Sequence, residues 1–216
     1  MPKRGIEPEE AIGPVVDGLE DFPPLHGQDP EPLPEWEAPF EAELQPAAED
    51  PPRMLVCGDG EAARAAAELA KSCGFLLEVA FNGDEAGARL AWPEADEVIP
   101  SPGWADLVEL CGIGRDSYVC VFLEDPGERE DVVDHCLASD ARYSGAWGGM
   151  EARRELFEGL RRQGAPDAEL AAVACPMGLN IGAATPAQHA VGIVAELLAA
   201  KAGTLKRLHG DWRKRR

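Results

Sequence analysis

Three short runs in the chain have residue types and spacings that could do chemistry, and all three suit holding a polar or anionic ligand. The first is Gly58-Asp59-Gly60-Glu61-Ala62-Ala63, a G-x-G-x-x-A run. In that pattern the first glycine makes a tight turn, the second lets a ligand approach the backbone, and the small last residue lets a helix pack close to a strand. Free N–H groups at the helix start can then meet a phosphate. Two carboxylates, Asp59 and Glu61, stand inside this turn and would repel a pyrophosphate. The second run is Tyr143-Ser144-Gly145-Ala146-Trp147-Gly148-Gly149, with Arg153 and Arg154 shortly after it. Three glycines, a hydroxyl and an aromatic ring give a loop that exposes its backbone; the alternative is a tight strand–helix turn with surface arginines. The third is Cys175-Pro176-Met177-Gly178-Leu179-Asn180-Ile181-Gly182-Ala183-Ala184-Thr185-Pro186-Ala187-Gln188. Thr185 and Gln188 have capping-box spacing and Pro186 fits a first helical position, so this run is a second potential anion cradle.

Cys175 stands at the mouth of the third run. A thiolate near a helix N-terminus has a lowered pKa and could ligate metal or handle sulfur. Alternatively, residues 171–175 (AAVAC) form a buried strand and the thiol is inert. The other cysteines, 57, 73, 111, 120 and 136, read as small buried hydrophobes, and no C-x-x-C pair suggests a zinc site. No general acid stands out: His135 and His189 fall inside helices and His209 near the C-terminus. No catalytic residue is assigned.

The elements that must position these runs alternate between strand and helix. Strands are expected at residues 54–57, 75–81, 96–99, 118–123 and 143–147. Helices are expected at 61–73, 84–90, 128–138 (with Val132, Val133 and Cys136 inward), 151–163, and from Thr185 to about residue 201, where Val191, Val194 and Leu198 make an apolar line. The run at 170–173 leads into the third loop. The alternation predicts a Rossmann-like α/β fold, a parallel sheet with helices on both faces. Such sheets bind ligands beyond the carboxyl ends of their strands, where the first two runs fall. The acid that would hold a dinucleotide ribose is ambiguous between Glu78, inside a strand, and Asp84, beyond it.

Outside this body the composition changes. Residues 1–52 carry 14 acids and 2 bases and are proline-rich, which predicts a mostly disordered acidic arm. Trp36, Phe40 and Leu44 share one helical face there and could dock. Residues 204–216 form a basic tail, read either as a docking tail or as a solvated helix end. The folded domain is therefore expected over 53–203. The net charge of −20 argues against a general nucleic-acid binder or an anionic-membrane binder. No apolar run is long enough to span a membrane and no secretory leader is evident, so a cytoplasmic protein is expected.

The second and third runs resemble the C-terminal Rossmann domain of the XdhC/CoxI family, whose pattern is close to Y-I-G-A-x-G-S-R-R followed by P-I-G-L-D-I-G-A-x-T-P-x-E-I-A-x-x-I-x-A-E-I. The resemblance covers about residues 53–203. It implies an accessory protein of molybdenum hydroxylases such as xanthine dehydrogenase, which binds the molybdenum cofactor (molybdopterin), supports its sulfuration and helps insert it. The implied partners are the hydroxylase apoenzyme and a sulfur-transfer protein, with a homodimer left open. The implied cofactor-binding residues are Gly58, Gly60, Ser144, Gly145, Gly148, Gly178, Asn180, Gly182 and Thr185. Several positions depart from the family pattern. Gly58-Asp59-Gly60-Glu61 replaces G-A-G-H, Leu123-Glu124-Asp125-Pro126 replaces T-H-D-H, and Gly148-Gly149-Met150-Glu151 replaces G-S-R-R. Asn180 stands for the usual Asp, and the acidic arm stands where the family has an N-terminal domain. A binding and delivery protein is thus the first reading. A non-catalytic module with a decayed cleft is the second, favoured by Asp59, Glu61, Glu124 and Asp125. An NAD(P)-dependent oxidoreductase comes third.

Overall fold

The computed structural model describes residues 51–101, 103, 104 and 110–205. The acidic arm with Trp36, Phe40 and Leu44, and the basic tail from residue 206 on, lie outside the described residues. The five strands are β1 (Arg53–Gly58), β2 (Leu76–Asn82), β3 (Glu97–Ser101), β4 (Ser117–Phe122) and β5 (Tyr143–Ala146). All pair in parallel, in the order β3-β2-β1-β4-β5. The order reverses between β1 and β4, so the ligand crevice of such a sheet opens beyond Gly58 and Phe122. Ala174 extends the sheet by one bridge to Gly145, through Ala146 N–H to Ala174 O and Ala174 N–H to Ser144 O, both 2.9 Å. The expected approach at 170–173 is the end of a short helix, α5 (Asp167–Leu170), followed by a turn.

The remaining helices are α1 (Glu61–Ser72), α2 (Glu85–Ala91), α3 (Pro126–Leu137), α4 (Met150–Gln163) and α6 (Pro186–Lys201). Strand residues alternate between two cores, as period-two geometry requires. Met54, Val56, Tyr118 and Cys120 pack under α1 and α6, whereas Leu55, Cys57, Val119 and Val121 pack under α3 and α4. Alanines 63, 66, 67 and 70 of α1 are all buried, so the helix lies close to the sheet. Gly164, at φ 105°, ends α4 in the left-handed region that favours glycine. The apolar line on α6 is only partly internal. Val194 is buried with Ala190, Ile193 and Leu197, but Val191 and Leu198 lie on the exposed flank of that stripe.

At the opposite edge of the sheet Arg53 holds Glu78 by two bonds, Nε–Oε1 at 2.6 Å and Nη2–Oε2 at 2.7 Å. Nearby, Asp96 accepts the Leu77 N–H and the Lys71 ammonium, each at 2.8 Å. The Leu77 N–H, and then Lys71, hold the Asp96 carboxyl below its ordinary pKa of 3.8. A carboxyl depressed in the folded state contributes stability above its unfolded pKa and loses it as pH falls through the folded one. Asp96→Asn is therefore expected to flatten the loss of urea stability between about pH 5 and the folded pKa, relative to wild type. Equal slopes would contradict the linkage.

Candidate functional site

The structure brings the three glycine-bearing runs to the carboxyl edge of the sheet; the first packs on the β4 backbone, and aromatic rings link β4, the second run and the start of α6. Gly58, at φ 103°, lies against β4; a Cβ there would stand 2.8 Å from the Phe122 carbonyl carbon. The Phe122 ring meets the Trp147 ring at 6.0 Å, and Trp147 meets His189 edge-on at 4.9 Å. Trp147 is fixed by its N–H to Val121 O at 2.8 Å. Phe122 and His189 are not among the expected site residues, because only the fold makes these distant positions neighbours.

The third run is held by α6. Leu179 N–H donates to Gly192 O at 3.1 Å, and a Cβ on Gly192 would stand 2.7 Å from Leu179 O. Gly178 N–H donates to Glu196 Oε2 at 2.6 Å, and the Tyr143 hydroxyl donates to the same oxygen at 2.7 Å. Glu196 is fully buried, so one interior carboxylate ties the second run to the third. It is a lone acid in an apolar helix (AVGIVAELLAA), a signal that the sequence offered. Burial, and then the Glu196 charge, push the Tyr143 hydroxyl well above its ordinary pKa, so it remains a donor.

Each expected site residue has a definite place. Gly58 makes its turn, but the Gly60 N–H donates to Asp59 Oδ1 at 2.6 Å, and Asp59 is paired with Arg64 at 2.8 Å. The first turn is thus answered by its own carboxylate. Ser144 and Gly145 lie inside β5, and Gly145 is enclosed by the Tyr143 hydroxyl and Met177 Sδ. Gly148, at φ 145°, reaches the edge beside the exposed Gly149. Asn180, Gly182 and Thr185 are exposed, with Gly182 N–H on Asn180 Oδ1 at 3.3 Å. The expected cradle at the start of α6 is satisfied internally. Gln188 N–H donates to Thr185 Oγ1 at 3.3 Å, while Gln188 Oε1 accepts the N–H groups of Ala184 and Thr185. The start of α4 differs: Gly149 is its N-cap, no side chain caps it, and a Cβ on Gly149 would meet nothing within 4 Å.

Neither candidate ribose acid stands free. Glu78 is bound to Arg53, and Asp84 caps α2 through Gly87 N–H at 2.7 Å. Cys175 is buried, and burial pushes its thiol up while the Arg153 and Arg129 charges pull against it. The expectation of a thiol lowered by a helix start therefore meets a net shift in the other direction. Among the described residues no group of three or more His, Cys, Asp or Glu side chains could hold a metal ion. A groove of about 570 Å³ lies between α3 and α4, lined by Pro126, Glu130, Glu155, Glu158, Arg161 and Arg162. Its charges partly answer each other, as in Arg162–Glu130 at 3.7 Å. Among the described residues no helix is long and apolar enough to cross a membrane.

A family model described as the XdhC Rossmann domain matches residues 54–197. The chain is 29% identical over 154 residues to the uncharacterized protein YqeB of Escherichia coli (strain K12), an alignment covering 69% of this chain and 27% of that protein. Among solved structures it is similar to a xanthine dehydrogenase of Bacillus halodurans, with a TM-score of 0.59 and 26% identity over 70% of this chain and 43% of that one. The chain thus spans less than half the length of the relatives it matches.

Proposed function

The chain belongs to the XdhC family, and from that premise we propose that it binds the molybdenum cofactor and serves as a maturation factor for a molybdenum hydroxylase of the xanthine dehydrogenase type. Its partners on this reading are the hydroxylase apoenzyme and a sulfur-transfer protein, met in the cytoplasm. It is a carrier that holds and hands over its ligand rather than an enzyme that turns over. The observation that carries the reading is the Phe122–Trp147–His189 contact chain, which links the end of β4, the second run and the start of α6 beside the switch point of the sheet.

The residues present fit a pterin bearing a phosphate. Trp147 supplies an aromatic wall, and the uncapped start of α4 supplies backbone donors. The open faces of Gly149 and Gly182 leave room for close approach. When bound, the group supplies the redox metal that the recipient hydroxylase uses. This chain's own residues bind and orient it: Glu196 holds Gly178 in place, Gly192 seats Leu179, and the Gly178–Gly182 loop is thereby presented at the edge.

The same geometry argues against a dinucleotide. A pyrophosphate at the first turn would have to displace Asp59 from Gly60 and would meet Glu61 as well. These acids also favour the second reading, an interaction module whose cleft has lost its ligand. Equilibrium titration separates the readings. The full chain is expected to bind molybdopterin-type cofactor, with a change in tryptophan fluorescence, and to bind NADH at least a hundredfold more weakly (about 2.7 kcal/mol). Tight NADH binding without pterin binding would overturn the proposal, and binding of neither would favour the interaction module.

A further inference from the structure

Arg129 is 5% exposed, in the first turn of α3. Among the described residues its buried Nε has no hydrogen-bond partner. Its Nη1 reaches the Leu123 carbonyl, at 3.5 Å, and its Nη2 stands 3.9 Å from Glu155 Oε2, beyond hydrogen-bond distance. A buried guanidinium is ordinarily fully hydrogen-bonded, and one with an unpaired Nε and a carboxylate only at 3.9 Å can take a further acceptor. The position of Arg129 indicates which partner. A Cβ on Gly148 would stand 4.0 Å from its Nη1, so the guanidinium lies beside the turn that leads into the uncapped N-terminus of α4. Arg153, one turn into α4, lies over the Phe157 ring at 4.1 Å and donates to the Cys175 carbonyl. Met177 N–H donates to Ala146 O at 3.0 Å, so the segment that Arg153 holds runs beside the strand leading to the Gly148 turn and Arg129.

We propose that Arg129, Arg153 and the free N–H groups at the start of α4 form a binding site for a phosphate monoester beyond the carboxyl ends of β4 and β5. Two guanidinium groups and an uncapped helix start match a doubly charged oxyanion with several acceptor oxygens. The first turn and the start of α6 are less suited, since Asp59 answers the Gly60 N–H in one and the capping box fills the other. Two of the nearby acids are already committed, while Glu124 stays exposed at the end of β4. Asp125 caps α3 through Glu128 N–H at 3.0 Å, and Glu151 pairs with Arg154. Glu155, with a half-exposed side chain, is the carboxylate that an incoming phosphate would displace. The inference deepens the cofactor reading, since the phosphate of a pterin cofactor is one source of this group.

The probe is inorganic phosphate, titrated against chloride at matched ionic strength, with the full chain followed by thermal unfolding and phosphorus NMR. Wild type is expected to bind phosphate saturably and to unfold several degrees higher, about 3–5 °C, at saturation. Arg129→Gln and Arg153→Gln should each weaken binding at least tenfold, Arg129→Lys should restore part of it, and Glu155→Gln should tighten it. Arg153→Gln and Glu155→Gln change partly or largely exposed side chains, so they keep the test decisive if Arg129→Gln does not fold. No phosphate effect in wild type, or equal binding by Arg153→Gln and Glu155→Gln, would overturn the site. Pterin binding that is unchanged in Arg153→Gln would overturn it while leaving the cofactor reading standing. Phosphate binding that follows this pattern in a chain that binds no pterin would sustain the site and remove the cofactor reading.

Discussion

Replacing Glu196 by alanine is expected to cost the domain about 3–5 kcal/mol, a large part of the stability of a fold this size. Its carboxylate is fully buried and accepts the Tyr143 hydroxyl and the Gly178 N–H on one oxygen. Removal leaves both donors without that acceptor in an apolar interior, at roughly 1–3 kcal/mol each, and opens a cavity as well. Tyr143 cannot relieve this by ionising, because burial holds its hydroxyl protonated. Glu196→Gln keeps an oxygen able to accept both bonds and should cost only about 1 kcal/mol. Urea unfolding measures both variants. An alanine variant within about 1 kcal/mol of wild type would show that the carboxylate is not the tie between the second and third runs.

Gly58→Ala is expected to destabilise by about 3 kcal/mol, against about 1–2 kcal/mol for Gly60→Ala. Both glycines have positive φ, 103° and 131°, so both substitutions strain the backbone. The difference lies in the surroundings. An alanine Cβ at 58 would stand 2.8 Å from the Phe122 carbonyl carbon and 2.9 Å from its oxygen, atoms of a central strand that cannot swing aside. At 60 it would meet nothing within 4 Å. Gly58→Ala should also push β4 and the Phe122 ring away from Trp147, which near-ultraviolet circular dichroism would register. Equal costs at the two positions would mean that the close β1–β4 approach is not what requires glycine at 58.

Most of the fold was legible because its signals are local. Apolar runs marked β1 and β4, and the Thr185–Gln188 spacing marked a capping box that the structure contains. The resemblance to the XdhC family rested on two glycine-bearing runs, and the family match over 54–197 bears it out. What was not legible depends on contacts between distant segments. Arg129, four residues after Asp125, carries no apolar signal in the sequence, and the fold buries it beside the Leu123 carbonyl and the Gly148 turn. Val191 and Leu198 fit an apolar helical line, but α1 covers only one side of α6 and leaves them on the flank. The start of α6 looked like an anion cradle because capping residues and anion-binding residues share a sequence signature. The structure spends its donors on Gln188.

Backbone hydrogen exchange of the full chain, with and without saturating molybdopterin-type cofactor, tests the site most directly. The account predicts slowed exchange at residues 147–153 and 178–185, on the two loops joined by Trp147 and His189. It predicts no change at Glu158, Arg161 and Arg162 of α4, at the far side of the charged groove. Protection confined to that groove, or none in either loop at saturating cofactor, would contradict the account.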